Sequence, residues 1–385
     1  MSLERLKGLE QSALMPTYKR LPVEFVRGEG ALLWDDEGRE YLDLLAGIAV
    51  DNAGHCHPDV VTAVTDQVSK LIHVSNLFYT EPGMDLADRL SRSSLGGLVF
   101  LCNSGAEANE AAIKLARRHK PGGGFVVLQG AFHGRTMGAL SATPQAEKQD
   151  PFAPLLPGFA AVCADPAALT AAVTDQTAAV LIEPIQGEGG VQIVPDDVLI
   201  AAREACDRHG ALLIFDEVQT GAGRTGTLWA YQQTPVVPDA MTVAKGIGAG
   251  FPVGALITAA GCSTSLVAGD HGSTFAGGPV TAAAALASLG VVSTENLLAQ
   301  VVRLGAKLMA GLAELPGVES VRGRGLMIGA DITGDAPAVV LAALQQEALV
   351  INATGPSTLR FVPPLVITEQ QIDGALERLS RLPLA

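Results

Sequence analysis

LIFDEVQTGAGRTGTLWAYQQTPVVPDAMTVAK, residues 213–245, is the stretch on which the reading of the whole chain turns. It opens as an apolar run that stops at Asp216, the pattern of a buried parallel strand delivering a carboxylate at its C-terminal end. That edge is where open α/β sheets place their ligands. A second apolar run, residues 240–244, stops at Lys245 and is followed at once by GIGAG, which lets backbone approach closely. An ammonium beside a water-poor strand end costs free energy unless its pKa falls or it is consumed in an imine, and both outcomes describe a nucleophilic lysine. Taken alone, Lys245 reads as well as a surface lysine that happens to follow a strand. Between the two runs, Gly221, Gly223 and Gly226 spell G-x-G-x-x-G, the dinucleotide fingerprint by pattern. The fingerprint belongs in a first strand-to-helix turn with an acidic residue about 20 positions on. Here residues 225–229 read as loop and Lys245 follows, so the glycines are taken as a tight loop and not as a nicotinamide site.

Outward from this stretch, helical patterns alternate with short apolar runs. Helices are expected at 59–71, 82–94, 105–119 and 195–209, and strands at 97–102, 124–129, 178–183, 211–216 and 239–244. Repeated βα units imply a mainly parallel sheet covered on both faces, an α/β domain placed at 51–279. After Gly278 the pattern becomes α+β: helices through Leu312 and near 335–346, strands in LVINAT and TLRFV, and a closing helix from Thr368 to Arg381. Residues 1–50 read as a short helix and a small β-element that cannot form a core alone. A smaller α+β domain is therefore expected from residues 1–50 and 280–385 together.

Composition narrows the function. With 385 residues, 48% of them hydrophobic, the chain can bury a large core in two domains. A formal net charge of -14 argues against nucleic acid and anionic membranes as partners. Cys56, Cys102, Cys163, Cys206 and Cys262 are scattered and form no C-x-x-C pair, the usage of reduced thiols. The N-terminal MSLERLKGLEQSAL does not read as a signal peptide, and no run of about 18 apolar residues appears, so a cytoplasmic enzyme is expected. His55, Cys56 and His57 in GHCHP have no second ligand cluster and precede a helix-starting Pro58, so a turn is expected there and no metal.

A pyridoxal phosphate enzyme needs a lysine for the Schiff base and a carboxylate to keep the pyridine nitrogen protonated. The order D-E-V-Q, G-A-G-R-T-G, then P-D-x-x-x-x-A-K resembles the class III pyridoxal-phosphate aminotransferases, and the likeness runs from Tyr18 to about Arg378. It implies fold type I, pyridoxal 5'-phosphate as cofactor, Lys245 as the imine-forming lysine and Asp216 as the partner of the ring nitrogen. Ser104 and Glu107 read as a capping box at the start of the helix AEANEAAIKLARRH, and the free N–H groups of such a helix end attract anions. By resemblance Ser104, Gly105 and Ala106 contact the phosphate, Phe132 and Val218 cover the two ring faces, and Gln219 reaches the ring hydroxyl. HGSTFAGGP resembles the segment through which a neighbouring subunit gives a threonine, Thr274, to the phosphate, which implies a homodimer with shared sites. Where the family usually reads GGNP, this chain has Ala276, Gly277, Gly278 and Pro279.

Substrates of amino transfer carry carboxylates, which guanidinium groups match bidentately. Arg135 is expected at the α-carboxylate and Arg360 at a second one, with Glu188 as the partner of Arg360 by resemblance. That pair would let one site take two substrates, Glu188 neutralising Arg360 for the amino donor and freeing it for 2-oxoglutarate. Glu183 ends its strand at the same edge. Tyr18 and Ile48 match positions near the substrate. Ile48 stands where the ornithine branch has an aromatic, which favours an acylated amine such as N-acetylornithine and hence arginine biosynthesis. A lysine-biosynthesis aminotransferase acting on an acylated or carrier-linked lysine remains open, as does, less favoured, a glutamate-1-semialdehyde aminomutase.

Overall fold

The computed structural model describes residues 3–262 and 266–385. The two apolar runs flanking the glycine loop are neighbouring parallel strands, Leu212–Asp216 and Ala240–Val243, with Asp216 beside Thr242. They lie at the centre of a seven-stranded sheet in the order Gly96–Cys102, Gly254–Ala259, Ala240–Val243, Leu212–Asp216, Thr177–Ile182, Gly124–Leu128, Phe159–Val162. Every residue of Thr177–Ile182 and Leu212–Asp216 is buried, the mark of strands covered on both faces.

The sheet is mostly parallel, with one exception. Gly254–Ala259 runs antiparallel to both of its neighbours, Ala240–Val243 and Gly96–Cys102. Neither this strand nor Phe159–Val162 is expected from the sequence. GALITA follows the glycine-rich GIGAGFPV with only a single 3-10 turn, Lys245–Ile247, between the strands, and that short connection returns the chain in the opposite direction.

The covering helices carry their own instructions. Gly105–His119 buries Ala108, Ala111, Ala112, Ile113, Leu115 and Ala116 on one stripe, with Glu107 in its first turn and Arg117, Arg118 and His119 in its last, the charge order that complements the helix dipole. Asp196–His209 stops at Gly210, which takes the left-handed conformation at φ 61 that glycine adopts without strain.

The chain ends meet in a second structural layer. Phe25–Glu29, Leu32–Asp35 and Glu40–Asp43 form an antiparallel meander whose last strand pairs in parallel with Leu349–Val350. Val318–Arg324, Met327–Ile332, Thr358–Phe361 and Asn352–Ala353 form another four-stranded sheet. The run LVINAT is thus not one strand. It changes sheets at the buried Ile351, Leu349 and Val350 pairing with Leu42 and Asp43, then Asn352 and Ala353 with Arg360 and Leu359. Among the described residues, no single helix is long and apolar enough to cross a membrane.

Candidate active site

Asp216 and Lys245 emerge at the carboxyl edge of adjacent strands and line one cavity of about 450 Å³. Ser104, Gly105, Ala106, Phe132, Arg135, Glu183, Glu188, Val218 and Gln219 line it too. Lys245 has a left-handed backbone, φ 46, a conformation that a side-chain-bearing residue holds only when its surroundings impose it. Burial pulls its amine below the ordinary lysine range. Arg360 adds to that pull, while Glu188, Asp216 and Glu183 oppose it. The net result is a larger share of neutral, nucleophilic amine at neutral pH.

Asp216 is held from three sides. Its Oδ2 accepts from Asn109 Nδ2 at 2.7 Å and lies 2.7 Å from His133 Nδ1, and its Oδ1 accepts from Val218 N at 3.0 Å. Asn109 in turn accepts from Thr242 Oγ1 at 2.8 Å and donates to the His133 carbonyl at 2.7 Å. None of Asn109, His133 and Thr242 stands out as a site residue in the sequence. The available signal was a polar Asn109 inside the apolar stripe of its helix, where an amide must find partners.

The expected ion pair is present. Arg360 Nη1 donates to Glu188 Oε1 at 2.5 Å and to Gln219 Oε1 at 3.2 Å, and its Nε donates to Asn352 Oδ1 at 3.1 Å. Burial raises the Glu188 carboxyl, but the Arg360 guanidinium outweighs that and holds it below the usual range. Arg360 is fully buried with its Nη2 lacking a protein partner, while Glu188 keeps 31% of its side chain exposed, so the carboxylate is the member free to move. Arg135 is exposed and stacks over the Phe132 ring, 5.5 Å from guanidinium carbon to centroid. Glu183 is pushed up to about 7, chiefly by burial and further by Asp216, against His133 and two backbone N–H bonds.

The helix-start expectation holds in part. Ser104 Oγ accepts from Glu107 N at 3.2 Å, but the Glu107 carboxylate turns to Asn103, whose backbone and side-chain N–H groups both donate to it at 2.8 Å. The reciprocal half of a capping box is therefore absent. Four expected residues do not line the cavity in the single chain, and of these Arg360 reaches its wall through the lining residues Glu188 and Gln219. Tyr18 is 73% exposed beside Arg20, and Ile48 is 38% exposed at φ 69, the neighbouring Val50 lining the wall instead. Thr274 lies in a separate groove with Ser75, Asn76 and Leu77. His55 of the GHCHP turn pairs with the buried Asp43 at 2.7 Å. The G-x-G-x-x-G loop carries a fully buried Arg224 that donates to Leu326 O at 2.9 Å and also to Pro363 O and Asn52 Oδ1, so it ties the loop to the C-terminal layer.

The cavity suits pyridoxal phosphate. Its lining offers a buried carboxylate, a depressed lysine amine and the N-terminus of Gly105–His119, whose first N–H groups lie outside the helical ladder. Gly105 keeps that end clear: a Cβ there would meet Val218 Cγ1 at 2.7 Å. His133 Nε2 is buried without a protein partner.

Comparison with known proteins agrees. The sequence profile of the class-III aminotransferase family matches residues 14–382. The acetylornithine aminotransferase of Mycolicibacterium smegmatis is 48% identical over 382 residues, 97% of each chain, and that of Methanopyrus kandleri is 50% identical over 371 residues, 95% of each. Among solved structures, the N-acetylornithine aminotransferase of Stenotrophomonas maltophilia superposes with TM-score 0.82 at 38% identity over 97% of each chain. The ornithine aminotransferase of Toxoplasma gondii gives 0.93 at 33% identity over 99% of this chain and 94% of that one. With a profile match over nearly its whole length and relatives at about half identity, the chain belongs to the class III aminotransferases, enzymes that use pyridoxal 5'-phosphate.

Proposed function

We propose that the protein transfers the terminal amine of N-acetylornithine to 2-oxoglutarate, giving N-acetylglutamate semialdehyde and glutamate in arginine biosynthesis. The observation that carries this reading is the Glu188–Arg360 pair at 2.5 Å beside a cavity that also presents Arg135. Relatives named for this substrate, similar over nearly the whole chain, add support.

In this reading the cofactor, when bound, supplies a carbonyl that exchanges for the substrate amine and a ring that takes up the electrons of the broken C–H bond. Lys245 is the residue that would hold it covalently, and its Nζ, when free, would carry the proton from the substrate carbon. Asp216, oriented by the Asn109 and Val218 N–H donors, would hold the proton on the ring nitrogen. The N–H groups at Ser104, Gly105 and Ala106 would take the phosphate, Phe132 and Val218 would cover the ring, and Gln219 would reach its hydroxyl. Arg135 receives the α-carboxylate, with Tyr18 and Ile48 nearer the acyl end. Glu188 covers Arg360 for the donor and uncovers it for the second carboxylate of 2-oxoglutarate.

The working unit in this proposal is a cytoplasmic homodimer in which Thr274 of the neighbouring subunit completes the phosphate site. Its support is an exposed apolar surface around the Thr274 groove: Leu77 at 85%, Phe78 at 69%, Tyr79 at 92% and Phe275 at 68%. The division into 51–279 and a smaller domain of 1–50 with 280–385 belongs to the same proposal, supported by the pairing of Leu42 with Leu349. The test is a half-reaction panel in which the loaded enzyme is mixed with acetylornithine, ornithine, acetyllysine and 4-aminobutyrate while its visible spectrum is followed. Acetylornithine should react fastest. Faster reaction with ornithine or acetyllysine reassigns the donor.

A further inference from the structure

Glu183 follows the last residue of the Thr177–Ile182 strand and is 6% exposed. Each of its carboxylate oxygens serves a different wall of the cavity. Oε1 accepts from Phe132 N at 2.8 Å, and Oε2 accepts from Gly187 N at 3.2 Å. Gly187 begins the turn of a tight hairpin in which Ile185 pairs with Ile193 and Gln186 with Gln192, and the next residue in that turn is Glu188. Position 187 has no room for a side chain, since a Cβ there would meet Gln219 Oε1 at 2.2 Å, and that same Oε1 accepts from Arg360.

We propose that Glu183 is a positioning residue that fixes the base of the Glu188 arm and the backbone of Phe132 to one anchor, so that Glu188 swings off Arg360 about a stationary point. This rests on the reading of Glu188 and Arg360 as the two-substrate switch. A movable side chain discriminates between ligands only if its closed position is reproducible, and closure here depends on where Gly187 holds the next Cα. The carboxyl group meets the two N–H donors with one oxygen each; an amide offers one acceptor and turns an NH2 on the other donor.

The variants are Glu183→Gln, Glu183→Asp and, as a separate control, Glu188→Gln. The first readout is amide hydrogen exchange in the cofactor-free protein. Glu183→Gln should speed exchange at Phe132 or Gly187 about tenfold, with the Leu212–Asp216 strand unchanged; unchanged exchange at both amides, or an equal rise throughout the chain, overturns the proposal. The second is steady-state kinetics. KM for 2-oxoglutarate should rise about tenfold in Glu183→Gln, well beyond the change in donor KM, and Glu183→Asp should lie between Glu183→Gln and wild type. If Glu188→Gln shifts the oxo-acid KM and neither Glu183 variant does, Glu183 does not position the arm while the switch stands. If Glu188→Gln leaves that KM unchanged, the switch itself falls and the proposal with it.

Discussion

Lys245 sits at φ 46 in a cavity whose burial lowers its pKa, two features that raise the cost of a lysine used only for structure. Lys245→Ala should therefore fold as well as wild type by circular dichroism while losing roughly 10²–10⁴-fold or more in transamination. Mass spectrometry after borohydride reduction should find no cofactor attached to the variant. Retained activity would remove the lysine from the mechanism. Asn109 acts one step further back. Asn109→Ala leaves the buried Asp216 short of one donor and Thr242 Oγ1 short of its acceptor, a loss of about 1.5–3 kcal/mol for a hydrogen bond to a charged group. Urea unfolding should register that loss, and cofactor affinity should fall alongside it. Asp216 and Lys245 were legible because each ends an apolar run. Asn109 was not, because its partners lie 107 and 133 positions away and only the packed helix brings them within reach.

Among the elements, the end of Leu212–Asp216 shows how a strand terminus can organise its surroundings. Glu217, fully buried, accepts from Ala230 N and Tyr231 N and so caps the short helix Ala230–Gln233. Burial pushes it up to about 7 from an ordinary value near 4.5, with Asp216 adding to the rise against those two N–H bonds. A raised folded-state pKa means that between these two values the folded chain keeps a proton the unfolded chain has released. Stability therefore falls as pH climbs from about 4.5 toward 7, with a slope of up to about 1.4 kcal/mol per pH unit from this group. Thermal melts of Glu217→Gln should be flatter than wild type across that window, and an unchanged pH dependence would contradict the assignment. At this scale most helix and strand positions followed from periodicity, the strands Phe159–Val162 and Gly254–Ala259 excepted. The break of LVINAT between two sheets did not, because an alternating strand pattern is blind to which partner each half selects.

For the molecule as a whole, the exposed ring of Leu77, Phe78, Tyr79 and Phe275 beside Thr274 is the strongest sign of assembly. Phe275→Asp combined with Leu77→Asp should shift sedimentation from dimer to monomer. Cofactor affinity should drop about tenfold or more with the loss of a neighbour's phosphate contacts, although every cavity-lining residue is left in place. A variant that stays dimeric, or a monomer with unaltered affinity, would refute the shared site.

What could be read from the residues was local: most of the strand runs, the residues that end them, and hence the carboxylate at 216, the amine at 245 and the helix start at 104. These are consequences of apolar periodicity and of charges placed at its interruptions. Tertiary structure alone decided which distant groups share a partner. It set Asn109 and His133 on Asp216, Glu183 between Phe132 and Gly187, and Arg224 against Pro363. A buried polar group must be satisfied by whatever packing delivers to it, and that choice is made only when the sheet, the hairpin and the C-terminal layer close together.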